Sequence, residues 1–133
     1  LLGKKPETVT EMEEAARDLS KLGPQAVLVK GGHLEGSASA VDVLWDGQWV
    51  QRFTARRLDV KHTHGTGCTL SAAIAANLGR GLSLEEAVGR GKIYLNRAML
   101  EAWQIGGGVG PVNHLWHLET PIQAALEQIA KEE

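Results

Sequence analysis

The stretch His62-Thr63-His64-Gly65-Thr66-Gly67-Cys68-Thr69 decides the fold, because it runs directly into the apolar segment 70–76, LSAAIAA. Two glycines followed by such a segment predict a tight turn that opens a helix. The N–H groups of Thr66–Thr69 are then expected to converge outside the helix, where the helix dipole favours an anion. The loop therefore predicts a phosphate site, although a glycine-rich connection with a buried cysteine also fits this pattern.

The composition excludes several classes of function. The 133 residues include 14 Lys and Arg and 16 Asp and Glu, which gives a formal net charge of −2. The two signs are interspersed, so no nucleic-acid face is predicted, and the pair Arg56-Arg57 is interpreted as solvated. One cysteine cannot form an internal disulfide, and neither a signal peptide nor a membrane-spanning run is visible. These features favour a cytoplasmic protein without a membrane partner.

A helix and a strand are predicted before the loop. Thr10-Glu11-Met12-Glu13 has the capping-box pattern, and Gly23-Pro24 should stop the helix. Ala26–Val29 is continuously apolar, which is typical of a strand buried on both faces of a parallel sheet. The residues expected on the buried face of the helix are Met12, Ala15, Ala16, Leu19 and Leu22.

The predicted strand ends at Lys30-Gly31-Gly32-His33. Ligands of open α/β sheets bind beyond the carboxyl ends of strands, so a lysine and two glycines here are placed to meet a phosphate. A strand-end turn with an exposed lysine explains the same residues equally well. The next segments, 41–45 and 49–53, alternate around Asp46-Gly47 and predict an antiparallel hairpin, with Trp45 and Trp49 as cross-strand neighbours.

Two further helices are predicted after the loop. The loop helix should end near Leu78, at the stop Gly79-Arg80-Gly81. Ser83-Leu84-Glu85-Glu86 is a capping box that opens a second helix, and Thr120 should cap a last one. His114 and His117 lack metal-site spacing and are interpreted as structural. The residues expected to face inward from the second helix are Leu84, Ala87, Val88, Leu95, Ala98, Met99 and Ala102.

Three motifs together resemble one known family: T-H-G-T-G-C-T-L-S-A-A-I-A-A at 63–76, V-K-G-G-H at 29–33 and G-P-V-N-H at 110–114. Over essentially its whole length, the chain is similar to the C-terminal half of hydroxymethylpyrimidine/phosphomethylpyrimidine kinase, a thiamin-biosynthesis family of the ribokinase-like superfamily. Superfamily members usually carry G-x-G-D, so Cys68 makes the resemblance specific. Residues 1–133 are therefore expected to be a single partial domain whose N-terminal half is absent.

The resemblance implies an α/β fold: a three-layer sandwich with a mainly parallel sheet and an antiparallel hairpin. It also implies transfer of the γ-phosphoryl group of ATP, used with Mg²⁺, to hydroxymethylpyrimidine and then to its monophosphate. Gly65, Thr66 and Gly67 would form the anion hole. Cys68 would act as the base or would orient the acceptor hydroxyl.

The resemblance further assigns ATP contacts to Lys30, Gly31, Gly32, Asp42 and Lys92, and it assigns no metal ligand in this chain. Asp42 would contact ATP or its metal because the hairpin precedes the anion loop, but an outward-facing solvated carboxylate is an open alternative. Lys92 matches a family lysine near the nucleotide, whereas a helical lysine is by default solvent-facing.

Three other functions remain open at this point. One is a pyridoxal kinase with the same G-T-G-C loop, and another is a cysteine hydrolase that pairs Cys68 with His64 or His62. The third is a non-catalytic nucleotide-binding half that needs an N-terminal partner. The expected partners are ATP, a small pyrimidine, and the missing half or a second chain, and a homo-oligomer is also expected.

Overall fold

The structure is a computed structural model, which describes residues 1–32, 38–61 and 63–118. The named elements are α1 (Val9–Ser20), β1 (Val27–Val29), β2 (Ser39–Trp45), β3 (Val50–Arg56), α2 (Thr66–Gly79) and α3 (Leu84–Leu100). The chain divides into two compact units, Leu1–Arg57 and Leu58–Glu133. No helix in the described ranges is long and apolar enough to cross a bilayer. The helix predicted from Thr120, together with His33 and His62, lies outside the described residues.

The first unit packs α1 on an antiparallel sheet with the strand order β1-β2-β3. Val27 lies opposite Trp45, so β1 pairs antiparallel with β2, and its residues are half-buried rather than covered on both faces. The connection explains this direction. Only nine residues, 30–38, join β1 to β2, whereas a parallel pair needs a crossover of about a dozen residues or more.

The core of the first unit lies between α1 and β2. Met12, Ala16 and Val43 are buried there, and Trp45 packs against this cluster from its half-buried position. Burying these apolar side chains is what stabilises so small a sheet, since each fully buried aliphatic side chain contributes about 1.5–3 kcal/mol. The prediction for Leu22 is wrong: it follows the end of α1 and is exposed.

Helix α1 begins two residues earlier than predicted. Its N-cap is Thr8, whose hydroxyl accepts the N–H of Glu11 at 3.1 Å. The carboxylate of Glu11 accepts the N–H of Glu7 at 2.7 Å. The T-x-x-E pattern occurs twice in overlapping register, at Thr8 and at Thr10, and the earlier copy is the one that caps the helix.

The hairpin between β2 and β3 is confirmed, but its turn is longer than two residues. Asp46 Oδ1 accepts the N–H groups of Trp49 at 2.7 Å and Gln48 at 2.8 Å, and these bonds hold the pKa of Asp46 below its ordinary value. The turn therefore spans 46–49, and Trp45 pairs with Val50. The predicted pairing of Trp45 with Trp49 is wrong, and Trp49 is exposed.

In the second unit, α2 and α3 pack on each other. Helix α2 ends as predicted, with Gly81 in the left-handed region at φ +86°. The capping box at Ser83 and Glu86 is confirmed in both directions. Gly91 sets the distance between the helices, because a Cβ there would lie 2.9 Å from Ile74 Cγ1. The buried residues of α3 are Ala87, Val88, Gly91, Lys92 and Ala98.

The two overlapping capping patterns of α1 give a direct test. We expect Thr8→Ala to lower the free energy of unfolding by about 1 kcal/mol, because the Glu11 N–H loses its acceptor. Thr10→Ala is the matched control: Thr10 is exposed inside the helix, so alanine should be neutral or slightly stabilising there. Urea denaturation of both variants measures the difference. An equal loss for both would contradict the assignment of Thr8 as the cap.

Candidate functional site

The backbone of Gly65 creates the candidate site at the start of α2. Gly65 is the N-cap with φ +83° and ψ 1°, in the left-handed region that disfavours every residue with a Cβ. Apart from its chain neighbours, no heavy atom of the described residues lies within 4 Å of where its Cβ would be, so conformation rather than space requires glycine. No side chain in the described part of the chain caps the helix, which leaves its first N–H groups to other acceptors.

Two of the four N–H groups predicted to converge have partners within the loop itself. Thr66 donates a long bond of 3.4 Å to Thr63 O, and Thr69 donates to Gly65 O at 2.9 Å. The N–H groups of Gly67 and Cys68 donate to no residue that the structure describes. Two adjacent donors therefore stand at the positive end of a 14-residue helix, an arrangement that suits a phosphate oxygen.

The segment 110–114 holds this loop from both sides. His64 donates its N–H to Gly110 O at 3.3 Å and forms an isolated parallel bridge with Pro111. The hydroxyl of Thr69, in the first turn of α2, lies 2.9 Å from His114 Nε2. These contacts fix His64, three residues before the first donor, and Thr69, which directly follows the second.

The bracing segment is itself anchored on α3. Asn113 is 1% exposed and donates its N–H to Ala98 O at 2.8 Å, while Tyr94 donates its hydroxyl to His114 O at 2.7 Å. Sequence reasoning did not find the contact between Thr69 and His114, because 45 residues separate them and neither has a periodic signal. The motif G-P-V-N-H was the only indication that this segment matters.

Cys68 carries an exposed, free thiol in the first turn of α2. No hydrogen bond joins this thiol to a histidine in the described part of the chain, and His114 instead contacts the Thr69 hydroxyl. A cysteine hydrolase needs an adjacent base, so neither His64 nor His114 supports that alternative. His62, the other predicted base, lies outside the described residues.

The lysine predicted near the nucleotide on α3 is buried. Lys92 is 8% exposed, so the interpretation of a solvent-facing helical lysine is wrong. It directly follows Gly91, at which α3 packs closely on Ile74 of α2. A buried ammonium group requires polar partners, and this environment separates Lys92 from ordinary surface lysines.

The Lys30–Gly32 turn belongs to the first unit and directly follows β1, as predicted. Lys30 is exposed, whereas Gly31 is buried and donates its N–H to Asp42 Oδ1 at 3.0 Å. Asp42 is 7% exposed, so the interpretation of a solvated, outward-facing carboxylate is wrong. The N–H of Gly31 therefore already has an acceptor within the first unit.

Arg57 is a residue that sequence reasoning missed. It was interpreted as solvated with Arg56, yet its Nη1 donates to Gly32 O at 2.8 Å and its N–H donates to Ala38 O at 2.9 Å. Nothing in the local pattern distinguishes it from its exposed neighbour. The structure thus brings Gly31, Asp42 and Arg57 together in one unit, and places Gly65–Cys68 and Lys92 in the other.

The side chains that the structure describes do not form a protein-held metal centre. No group of three or more His, Cys, Asp or Glu residues within the described ranges is arranged to hold a metal ion. A Mg²⁺ ion would therefore depend on phosphate oxygens and water for most of its ligands, which is how this ion commonly binds in kinases.

The fold is shared with solved kinase structures. A pyridoxal kinase from Bacillus subtilis, solved as an ADP complex, superposes with a TM-score of 0.81 at 36% identity. The match covers 86% of this chain and 45% of that chain. The chain therefore has the α/β fold of ribokinase-like kinases.

The phosphomethylpyrimidine kinase family model matches residues 1–113, and the chain belongs to this family. It is 44% identical to a hydroxymethylpyrimidine/phosphomethylpyrimidine kinase of Streptomyces coelicolor, over 89% of this chain and 43% of the relative. It is 50% identical to the thiamine biosynthesis bifunctional protein ThiED of Geobacter sulfurreducens, over 78% of this chain and 21% of the relative. The chain thus spans less than half the length of these relatives.

Gly65, the N-cap of α2, and Gly79, the last residue of the helix, allow a matched test of the left-handed cap. We expect Gly65→Ala to lower the free energy of unfolding by about 1–2 kcal/mol, because alanine is strained at φ +83°. Gly79→Ala is the control: its site has equally open space and no positive φ, so alanine should be neutral or stabilising by up to about 1 kcal/mol. Thermal and urea unfolding report both values, and equal effects would contradict the strained cap.

Proposed function

We propose that the protein containing this chain transfers the γ-phosphoryl group of ATP to hydroxymethylpyrimidine and then to its monophosphate, in thiamin biosynthesis. The observation that carries the proposal is the pair of N–H donors, Gly67 and Cys68, at the N-terminus of α2. The names of the matched relatives, a hydroxymethylpyrimidine/phosphomethylpyrimidine kinase and a thiamine biosynthesis bifunctional protein, support the reaction and its acceptor.

Phosphoryl transfer requires mainly that the reactants are positioned and that the charge on the transferring group is stabilised electrostatically. In the proposed mechanism, the N–H groups of Gly67 and Cys68 bind phosphate oxygens, and the dipole of α2 favours the negative charge on them. The left-handed Gly65 and the bracing segment 110–114 hold these donors in place before the substrate arrives. A pre-formed anion hole of this kind stabilises the transferring group without rearrangement of the backbone.

Cys68 has two separable parts in this mechanism. Its N–H belongs to the anion hole, and its exposed thiol acts on the hydroxyl of the acceptor. As the acceptor oxygen bonds to the γ-phosphorus, the bond from that phosphorus to ADP breaks. The Sγ atom either accepts the hydroxyl proton, for which it must be a thiolate, or it orients the hydroxyl while the proton leaves late to solvent. In both cases the side chain contacts the acceptor rather than the nucleotide.

In the proposed reaction the substrate is the magnesium complex of ATP, in which the phosphate groups would hold the metal. We assign Lys30, Gly32 and Lys92 to the surroundings of the nucleotide, because a lysine beyond a strand end and a buried lysine beside α2 both favour anionic groups. Gly31 and Asp42 bind each other in the structure, so in our assignment they shape the turn beside Lys30.

We further propose that residues 1–133 form the nucleotide half of one partial domain, and that the acceptor pocket lies mostly outside this chain. The matched kinases support this, since the chain covers 43% of one and 45% of another. The proposed whole domain is a three-layer sandwich in which parallel strands from an N-terminal half, or from a second chain, extend the sheet at β1. We also retain the proposals of a homo-oligomer and of a cytoplasmic location.

Pyridoxal is a second candidate acceptor, and the structural match with a pyridoxal kinase specifically favours it. The donor half described above is compatible with both acceptors. Measuring kcat/KM with hydroxymethylpyrimidine and with pyridoxal in the same preparation separates the two candidates. A preference for pyridoxal of tenfold or more, about 1.4 kcal/mol in transition-state binding, would replace the pyrimidine as the acceptor.

The two parts of Cys68 give the test of this function. We expect Cys68→Ala to lower phosphoryl transfer by about a hundredfold or more, because the thiol that acts on the hydroxyl is lost. The affinity for ADP should change little, because alanine keeps the backbone N–H. Steady-state kinetics and calorimetry with ADP measure the two effects, and Ala72→Ser, at an exposed position of the same helix, is the control. Activity within a few-fold of wild type would show that the thiol has no such role.

A further inference from the structure

The turn after β1 is held by two side chains that the sequence assigned elsewhere. Asp42 lies in β2, and Arg57 directly follows β3. Asp42 accepts the N–H of Gly31, and Arg57 donates to the carbonyl of Gly32. The two residues after Lys30 are therefore held by groups of opposite charge: Gly31 by a carboxylate and Gly32 by a guanidinium group.

The hydrogen bond between Gly31 and Asp42 involves a buried carboxylate. An ionised carboxylate that is 7% exposed is costly to bury unless hydrogen bonds replace its water. The bond from Gly31 N–H to Asp42 Oδ1 is 3.0 Å long and joins residues 11 positions apart. A backbone donor directed at a buried carboxylate is among the stronger hydrogen bonds that a protein makes.

Glycine at position 31 is needed for this contact. A Cβ on Gly31 would lie 2.0 Å from the carbonyl oxygen of Val41 and 3.2 Å from Met12 Cε. The first of these distances is impossible without a backbone shift, so the turn lies directly against β2 and above the core of the unit. The glycine of this motif is thereby explained by packing against Val41, without any phosphate.

Arg57 fixes the other end of the same region. Its Nη1 lies 2.8 Å from Gly32 O, and its own N–H donates to Ala38 O at 2.9 Å. The residue is half-buried, unlike the exposed Arg56 beside it. Its contacts thus join the end of β3 to Gly32 and to the residue just before β2.

We propose that Asp42 and Arg57 are positioning residues that fix the Lys30–Gly32 turn, and that Asp42 binds neither ATP nor its metal. The inference rests on the proposed function in one respect only: the proposed function supplies the phosphates of ATP as the groups that Lys30 contacts. Asp42 acts through the acceptor oxygen that holds Gly31. The amide oxygen of an asparagine can accept the same bond. The role of Asp42 therefore requires an acceptor oxygen for the Gly31 N–H, and it does not require a negative charge facing the nucleotide.

The isosteric variant Asp42→Asn and the truncation Asp42→Ala together test the proposal, because asparagine keeps an acceptor oxygen and alanine does not. We expect Asp42→Ala to raise the KM for ATP about tenfold, with a smaller change in kcat, as fits one lost buried hydrogen bond. The exchange of the Gly31 amide hydrogen should also accelerate about tenfold relative to the amides of β2. Asp42→Asn should stay within about threefold of wild type in both measurements.

Two further variants make the test specific. Asp46→Ala removes a carboxylate of the same hairpin that accepts two backbone N–H groups, so it should lower stability without a selective change at Gly31. Arg57→Ala should raise the KM for ATP as Asp42→Ala does, while Arg56→Ala, at the exposed neighbour, should not.

An Asp42→Asn variant as impaired in KM as Asp42→Ala would overturn the proposal, because the charge itself would then be required. Unchanged exchange at Gly31 in Asp42→Ala would overturn it as well. Failure of the proposed function has a different signature. The wild-type enzyme would then phosphorylate neither acceptor, while the exchange of the Gly31 amide in the two Asp42 variants would still decide the positioning role.

Discussion

The left-handed backbone of Gly65 is the constraint on which the candidate site depends. A helix that begins without a side-chain cap leaves its first N–H groups without intrahelical acceptors, and here Gly67 and Cys68 keep that property among the described residues. A cap by serine or aspartate would fill the position that we assign to phosphate. The tight turn at Gly65 therefore defines both the direction of α2 and the two donors that we propose as the anion site.

The two glycine motifs of the chain solve different physical problems. In the Lys30–Gly32 turn, glycine permits close approach to Val41, and Asp42 occupies the N–H of Gly31. At Gly65 the glycine permits a positive φ, and the donors that follow it remain open to a ligand. Sequence alone cannot separate these cases, since both motifs pair a strand or loop end with two small residues. The hydrogen-bond partners of the backbone separate them.

Local signals predicted much of the fold, and contacts distant in sequence account for most of what they missed. The capping box at Ser83 and the hairpin around Asp46 were found because the whole pattern lies within a few residues. The apolar run of β1 did not indicate its antiparallel pairing with β2, because strand composition does not specify the neighbouring strand, and the short connection to β2 decides it. The family resemblance located Cys68, but no pattern indicated that Thr69 contacts His114. The burial of Asp42 could not be predicted from the sequence either, because alternation alone does not show which face of a hairpin is covered.

The most direct test of this account is a nitrogen-15 amide titration of the protein with ADP. If the N-terminus of α2 is the phosphate site, the amide resonances of Gly67 and Cys68 should shift together and saturate with one dissociation constant. The amides of Thr69 and Gly31 should shift less, because each already donates to Gly65 O or Asp42 Oδ1. Saturable shifts that leave Gly67 and Cys68 unmoved would contradict the central claim.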